Sequence, residues 1–278
     1  MSKVWFITGA TRGIGAEIAR AALLAGNKVV ATGRKPENAT RALGVSTDLL
    51  VAALDVTRQE QIQSAVQAAK KRFGRIDILV NNAGYGQLGV FEEIPLEAIR
   101  AQYDTNVFGL MAVTHAVIPG MRQQRSGRIF NISSVGGLKG FFGGSIYNSS
   151  KFAIEGFSQS IAEELAPFGV FVTAISPGYF RTDFLDSRSV KYADVTISDY
   201  AQASEDFRAF QGHHHLNQTG DPAKLAEAIL RLAEVNNPPV SFVAGSDGIK
   251  WAMKAIRTLQ EQIDNWRELS VSTDGMWE

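Results

Sequence analysis

The chain of 278 residues contains no cysteine, which excludes disulfide bridges, thiolate nucleophiles and thiolate metal ligands. It has no excess charge of either sign: 28 Lys and Arg offset 28 Asp and Glu, and the pI is about 6.9. Without a basic footprint, neither nucleic acid nor an anionic membrane surface is an expected partner. No apolar run approaches the roughly 20 residues that cross a bilayer. The opening MSKVWFITGATRG enters a strand at once and lacks the basic, apolar, small-residue layout of a secretory leader. A soluble, cytoplasmic protein is the resulting expectation. Linkers, repeats and low-complexity tracts are also missing, so residues 1–278 read as one domain.

Short β-branched runs alternate with longer helical patterns. Strands are expected at Val4 to Thr8, Lys28 to Thr32, Leu50 to Leu54, Ile76 to Asn81, Arg128 to Ile132, Val170 to Ile175 and Val240 to Ala244. Most are apolar at successive positions, as parallel strands covered on both faces require. Helices are expected at Ile14 to Ala25, Gln59 to Phe73, Leu96 to Gln123, Tyr147 to Ala166 and Pro222 to Glu234. This alternation predicts an α/β, doubly wound, Rossmann-type parallel sheet with helices on both faces. Phe180 to Gly220 is polar and irregular, and sits where a lid over the strand ends belongs. Its His213, His214 and His215 are consecutive, so they cannot converge as separated metal ligands do, and no metal is expected. Gly248 to Leu269 reads as an additional C-terminal helix with an apolar face of Trp251, Ala255, Leu259, Ile263 and Trp266. That face must bury against the body or against a partner subunit.

The run Thr8-Gly9-Ala10-Thr11-Arg12-Gly13-Ile14-Gly15 joins the first strand to the first helix. Glycines there permit a tight turn, close approach of backbone to a pyrophosphate, and a helix N-terminus facing negative charge. The second strand lacks the terminal acid that an NAD-binding fold uses for ribose hydroxyls: the position holds Gly33, followed by Arg34. Arg34, with Arg12 as a second donor, can pair with a 2′-phosphate, so NADP(H) is the expected cofactor. Asp55 is suited to the adenine amino group and Val56 to the adenine ring, although an Asp there equally caps a turn. Asn81, Asn82, Ala83 and Gly84 end the fourth strand and allow close approach to the cofactor ribose. Pro177 and Gly178 stop the sixth strand, and Thr182 is placed to bond a nicotinamide carboxamide.

Tyr147 and Lys151 lie one helical turn apart, and Ser134 lies 13 residues before the tyrosine. A phenol is a poor acid or base at neutral pH, and a neighbouring ammonium favours its ionised form. Lys151 can also hold the nicotinamide ribose. Ser134, with Ser133 as its competitor, can donate to a substrate oxygen. Asn106 can hold the lysine through water and complete a proton path.

These residues together resemble the short-chain dehydrogenase/reductase family, in its group with a T-G-x-x-x-G-x-G turn. The matching positions are Thr8, Gly9, Gly13, Gly15, the Asn81–Gly84 run, Asn106, Ser134, Tyr147, Lys151, Pro177 and Gly178, spread in family order over about two-thirds of the chain. The resemblance implies a seven-stranded sheet, a homodimer or homotetramer, and hydride exchange with a small carbonyl or alcohol substrate. In that scheme Tyr147 is the general acid/base, Ser134 positions the carbonyl, Lys151 serves tyrosine and ribose, and Asn106 supports a water relay. Arg12 and Arg34 match the family's NADP-preferring pattern. Leu138, Phe141, Phe142, Tyr179, Phe180 and Phe184 are candidates for an apolar pocket, or equally for packing. NADPH-dependent carbonyl reduction leads; an NAD-linked alcohol dehydrogenase and a non-catalytic dinucleotide-binding regulator are the alternatives.

Overall fold

The computed structural model describes residues 2–186, 189–193, 197–214 and 218–275. Strand β1 (Val4–Ile7) leads into α1 (Gly13–Leu24), followed by β2 (Lys28–Gly33), α2 (Pro36–Leu43), β3 (Leu49–Ala53), α3 (Gln59–Phe73) and β4 (Ile78–Asn81). A short β5 (Gly86–Leu88) precedes α4 (Leu96–Tyr103), α5 (Leu110–Gln124), β6 (Gly127–Ile132), α6 (Ser145–Leu165) and β7 (Val170–Pro177). Then come β8 (Val190–Tyr192), α7 (Ala201–His214), α8 (Pro222–Glu234), β9 (Ser241–Ala244), α9 (Ser246–Asn265) and α10 (Arg267–Val271).

Seven strands form one parallel sheet in the order β3-β2-β1-β4-β6-β7-β9. Successive residues of a strand face opposite sides, and both sides here are apolar. Val4 and Phe6 join one core with Ile62, Val66, Val113, Val117 and Ile161 from α3, α5 and α6. Trp5 and Ile7 join the other with Ile18, Ala19, Leu225 and Ile229 from α1 and α8. Continuous apolar strands are thus a consequence of two helical layers. The chain winds outward in both directions from β1 and β4, which leaves a crevice at the strand ends between them.

Several expected elements differ. The expected continuous helix from Leu96 to Gln123 is broken by a π-helical stretch, Asp104–Gly109, between α4 and α5. A Cβ on Gly109 would come within 2.6 Å of Val56 Cγ2 and 3.0 Å of the Asp104 carbonyl, so the widened turn lets the chain press against β3's end. Helix α2 is absent from the expected elements; it is only 8 residues long, with Pro36 and Glu37 in its first turn and Gly44 closing it. The lid region is more ordered than its composition implies, holding β8 and α7, while 187–188, 194–196 and 215–217, including His215, lie outside the described residues. Strand β8 pairs in parallel with β5 as a separate two-stranded sheet.

A buried polar chain crosses from the sheet to the helices. Asn81 Nδ2 donates to Thr114 Oγ1 (2.8 Å) and to Asn131 Oδ1 (2.9 Å), and Asn131 Nδ2 donates to Ser158 Oγ (2.8 Å). This chain ties β4 and β6 to α5 and α6 in a fully buried setting. Replacing Asn131 by Ala strands a donor on Asn81 and removes the hydrogen bond that Ser158 Oγ accepts, while that hydroxyl still donates to the Ile154 carbonyl. A loss of about 2–3 kcal/mol is expected in urea unfolding with an unchanged denaturant slope; a loss under about 0.5 kcal/mol would show that the network is not a structural tie.

Candidate active site

The glycine turn after β1 is built by interlocking atoms. The Thr8 hydroxyl accepts hydrogen bonds from the backbone N–H groups of Asn82 (2.9 Å) and Ala83 (3.0 Å). In return Asn82 Nδ2 donates to the carbonyls of Thr8 and Gly9, both at 3.0 Å. Gly9 has φ +67°, and a Cβ there would stand 3.0 Å from Ala83 Cα. A Cβ on Gly15 would collide with the Asn82 amide and approach the Gly9 carbonyl to 2.6 Å, and one on Gly33 would meet the Thr11 methyl. These three glycines are therefore required by protein packing that shapes the turn. At Gly13 (φ +55°) the nearest atom is Thr182 Cβ, 3.8 Å away across the crevice.

A cleft of about 480 Å³ runs over the strand ends. On one side it is bounded by Gly9, Thr11, Arg12, Gly13, Ile14, Gly33, Arg34, Asp55, Val56, Asn82, Ala83 and Gly84, and on the other by Ser134, Tyr147, Lys151, Pro177, Gly178 and Thr182. Thr8, Gly15 and Asn106 are the expected site residues that do not line it; the first two build the turn from behind. Helix α1 starts at the cleft with no side-chain cap and no acid in its first turn, leaving its N–H groups and positive dipole end for an anion.

The adenine end is more tied to protein than expected. Arg12 Nη2 donates to Ser189 Oγ at 2.7 Å, so this arginine joins the segment before β8 to the glycine turn. Asp55 Oδ1 accepts from the Thr57 N–H (3.0 Å) and hydroxyl (2.7 Å), the turn-capping alternative. Partial burial acts to raise the Asp55 carboxyl, but the Thr57 hydrogen bonds and the charges of Arg34 and Arg58 outweigh it and hold it below its ordinary value. That Arg34 acts on Asp55 places its charge at the second strand's end, beside Gly33.

At the opposite end Tyr147 and Lys151 are both buried on α6. Burial pushes the Tyr147 phenol up to about 12, with a hydrogen bond from Ser134 drawing it down and Tyr179 adding to the rise. Lys151 is not among the influences on the phenol. The ammonium lies 5.7 Å from the tyrosine ring centre and donates to the Ile132 carbonyl at 2.8 Å, so desolvation governs the phenol. Burial also lowers Lys151 to about 8, opposed by the charge of Glu155 one turn further along α6. Glu155 is itself buried and accepts from Ser176 Oγ at 2.5 Å. Ser134, not its neighbour, addresses the tyrosine: Ser133 Oγ points back to the Lys151 carbonyl (3.5 Å).

Asn106 occupies the π-helical stretch and binds Tyr85 from both directions, accepting from its N–H (3.1 Å) and donating to its carbonyl (2.9 Å), with Ser150 Oγ at 3.4 Å. Its hydrogen bonds thus brace the loop after β4, and none reaches Lys151. Of the aromatic candidates, Phe141, Tyr179, Phe180 and Phe184 line the cleft, whereas Leu138 and Phe142 do not. Phe142 stacks edge-on with Phe207 at the surface, ring centres 5.9 Å apart. Phe184 lies 5.7 Å from the Tyr147 ring, in an apolar cluster with Leu88 and Val190. Leu88, Tyr85, Lys191, Gln211, Gln218 and Trp251 also line the cleft and were missed. They come from the loop before β5, β5 itself, the segment between β7 and α8, and α9, and only their tertiary placement marks them.

The sequence profile described as short chain dehydrogenase matches residues 3–193, and the chain belongs to that family. It is an oxidoreductase of the family. It is 39% identical over 280 residues to oxidoreductase BOA17 of Botryotinia fuckeliana strain B05.10, covering 98% of this chain and 100% of that protein. A short-chain dehydrogenase from Streptomyces avermitilis has a similar solved structure, with TM-score 0.90, 34% identity, and coverage of 99% of this chain and 100% of that one. A serine dehydrogenase complexed with NADP+ is similar at 29% identity and TM-score 0.72, covering 86% of this chain and 93% of that one. A 3-ketoacyl-(acyl-carrier-protein) reductase from Brucella melitensis complexed with NADH is similar at 26% identity and TM-score 0.71, covering 86% and 95%. A nicotinamide dinucleotide is the cofactor class these similarities support. No helix among the described residues is long and apolar enough to cross a membrane.

The packing around Gly15 yields a direct test of the turn. Gly15→Ala displaces the Asn82 amide from the Gly9 carbonyl, and dinucleotide affinity by fluorescence titration is expected to fall about tenfold or more, roughly 1.4 kcal/mol. Unchanged affinity would show that Asn82 does not shape the cofactor site.

Proposed function

We propose that the protein reduces a ketone or aldehyde to an alcohol with NADPH, Tyr147 acting as the proton donor. The observation that carries this reading is the buried phenol of Tyr147, pushed up to about 12 and hydrogen-bonded to Ser134, at the wall of a cleft that continues to a glycine turn. A phenol in that state is protonated throughout the neutral range, which suits donation to an oxygen gaining negative charge. NADPH, when bound, supplies the hydride. Ser134 and Tyr147 converge on the position of the carbonyl oxygen and stabilise it as an alkoxide develops. Lys151, charged below about pH 8, is placed to hold ribose hydroxyls, and the Ile132 carbonyl fixes its direction. Phe141, Phe184 and Leu88 surround the reacting end with apolar surface, which favours an apolar or aromatic substrate and excludes water.

NADP(H) is favoured over NAD(H) by the absence of an acid at Gly33 and by Arg34 next to it on the cleft wall. Arg12 supports the same preference less directly, because its guanidinium already holds Ser189.

Tyr147→Phe is expected to lower kcat for ketone reduction about a thousandfold while NADPH affinity stays within about twofold. Normal turnover by this variant across a panel of ketones and aldehydes would refute the assignment. Arg34→Asp is expected to reverse the ratio of kcat/KM for NADPH over NADH, by removing a phosphate partner and adding a like charge. A wild type that prefers NADH would remove the cofactor assignment and leave the fold and the tyrosine role intact.

A further inference from the structure

Two glutamines in the cleft wall carry polar atoms that the protein itself does not answer. Gln211 and Gln218 are 4% and 3% exposed, and both line the cleft. The Oε1 atom of each is enclosed and has no hydrogen-bond partner among the described residues. An enclosed polar atom without a partner destabilises a fold, so its presence needs a cause. Trp5 Nε1 and Arg128 Nε are also unpartnered but do not border the cleft. The Tyr85 hydroxyl, from the loop before β5, is a third such atom that does.

Placement assigns the glutamines to the substrate end. On α7, Ser204, Phe207 and Gln211 follow at intervals of three and four residues and share one face. The buried Glu93 carboxylate anchors that helix, accepting from the Ser204 hydroxyl at 3.4 Å and from the Ile197 N–H at 3.0 Å. Phe207 packs against the cluster of Leu88, Tyr147 and Val190, and a Cβ on Gly143 would stand 2.6 Å from its ring. Gln211, one turn beyond Phe207, therefore continues the wall around the phenol, away from the glycine turn. Gln218 is fixed through its backbone, its carbonyl accepting from Arg181 Nε at 3.3 Å. Gly220, two residues on, bridges to Phe180 and accepts from the Arg181 N–H at 2.8 Å. Gln218 thus adjoins the segment that follows Pro177 and Gly178.

The chemistry of these groups selects what they bind. An acceptor oxygen calls for a hydrogen on the ligand, which a carboxylate lacks. The set is also neutral: carboxamides carry no charge, and burial, with the charge of Asp104, raises Tyr85 so that its phenol keeps its proton. An ion brought against them would lose its hydration without gaining a counter-charge from them. A hydroxyl fits, because it gives its proton to one carboxamide oxygen and accepts from an amide N–H or a phenol. We propose that Gln211 and Gln218 bind a hydroxyl group of the substrate, so that the compound reduced is a ketone or aldehyde with an apolar body and a hydroxyl set apart from its carbonyl. This rests on the carbonyl reduction proposed above and names its substrate class.

Methyl ketones of increasing chain length are the probes, each compared under NADPH with the same ketone bearing a terminal hydroxyl and with the corresponding keto acid. At the best length, kcat/KM for the hydroxy ketone should exceed that for the plain ketone about tenfold or more. Gln211→Met and Gln218→Met should each cut that ratio about fivefold or more, chiefly through KM for the hydroxy ketone. Their Tm should be no lower than that of the wild type, because an unpartnered polar group has been removed. Four outcomes would overturn the subsite and leave carbonyl reduction standing: no preference for the hydroxyl at any length, a preference for the keto acid, a preference that survives both substitutions, or a marked fall of Tm in both variants. A loss of NADPH affinity matching the loss of the ratio would move the glutamines to the cofactor and overturn it as well. If no carbonyl compound is reduced, the reaction itself is wrong and the subsite falls with it.

Discussion

The exchange of hydrogen bonds between Thr8 and Asn82 is the constraint on which the cleft depends. Thr8 follows the central strand β1, and Asn82 follows the neighbouring β4, so the pair sits where the sheet's winding reverses. Its hydroxyl holds the backbone of Asn82 and Ala83, and the Asn82 amide holds the carbonyls of the glycine turn. The two connections that leave the sheet at this point are thereby locked to one another. Gly9 and Gly15 follow as a steric consequence, since the volume of a side chain at either is already occupied by this lock. The start of α1 is held at the crevice with its N–H groups facing outward, which is the physical requirement for seating a pyrophosphate.

At the chemical end, burial is the controlling influence. Tyr147 and Lys151 are displaced in opposite directions by the same cause, because desolvation disfavours the phenolate and the ammonium alike. The result is a neutral donor beside a base-carrying group that keeps its charge only below about pH 8. Glu155 works against the second effect from one turn away, and its bond to Ser176 connects α6 with the residue preceding Pro177. Helix α6 and the strand end that borders the cleft are thus joined through a buried carboxylate. The electrostatics and the geometry of the pair cannot be altered separately.

The main sheet was legible because its strands are buried on both faces and therefore read as uninterrupted apolar runs, as VWFI and ILVN do. The glycine turn, Ser134, Tyr147 and Lys151 were legible for a different reason: their spacing is set by local structure, one strand end and one helical turn. What local spacing cannot carry was missed. Gly86–Leu88 and Val190–Tyr192 are three-residue strands that pair with each other, and nothing in either segment announces the pairing. The direct bonds of Asn106 to Tyr85 were not legible either: they depend on a π-helical turn that packs Gly109 against Val56, distant in sequence. Phe142 was indistinguishable from Phe141 in composition, yet adjacent side chains diverge, and only one enters the cleft.

The small β5–β8 sheet ties the segment after β7 to both ends of the cleft. Ser189, immediately before β8, accepts from the Gly86 N–H through its carbonyl at 2.8 Å and from Arg12 through its hydroxyl at 2.7 Å. Gly86 in turn lies under Phe184 and the Tyr147 ring, with a Cβ position 3.4 Å and 3.7 Å from them. Because the backbone bond to Gly86 and the side-chain bond to Arg12 leave the same residue in different directions, Ser189 joins the glycine turn to β5, and the two ends of the cleft share one connected wall.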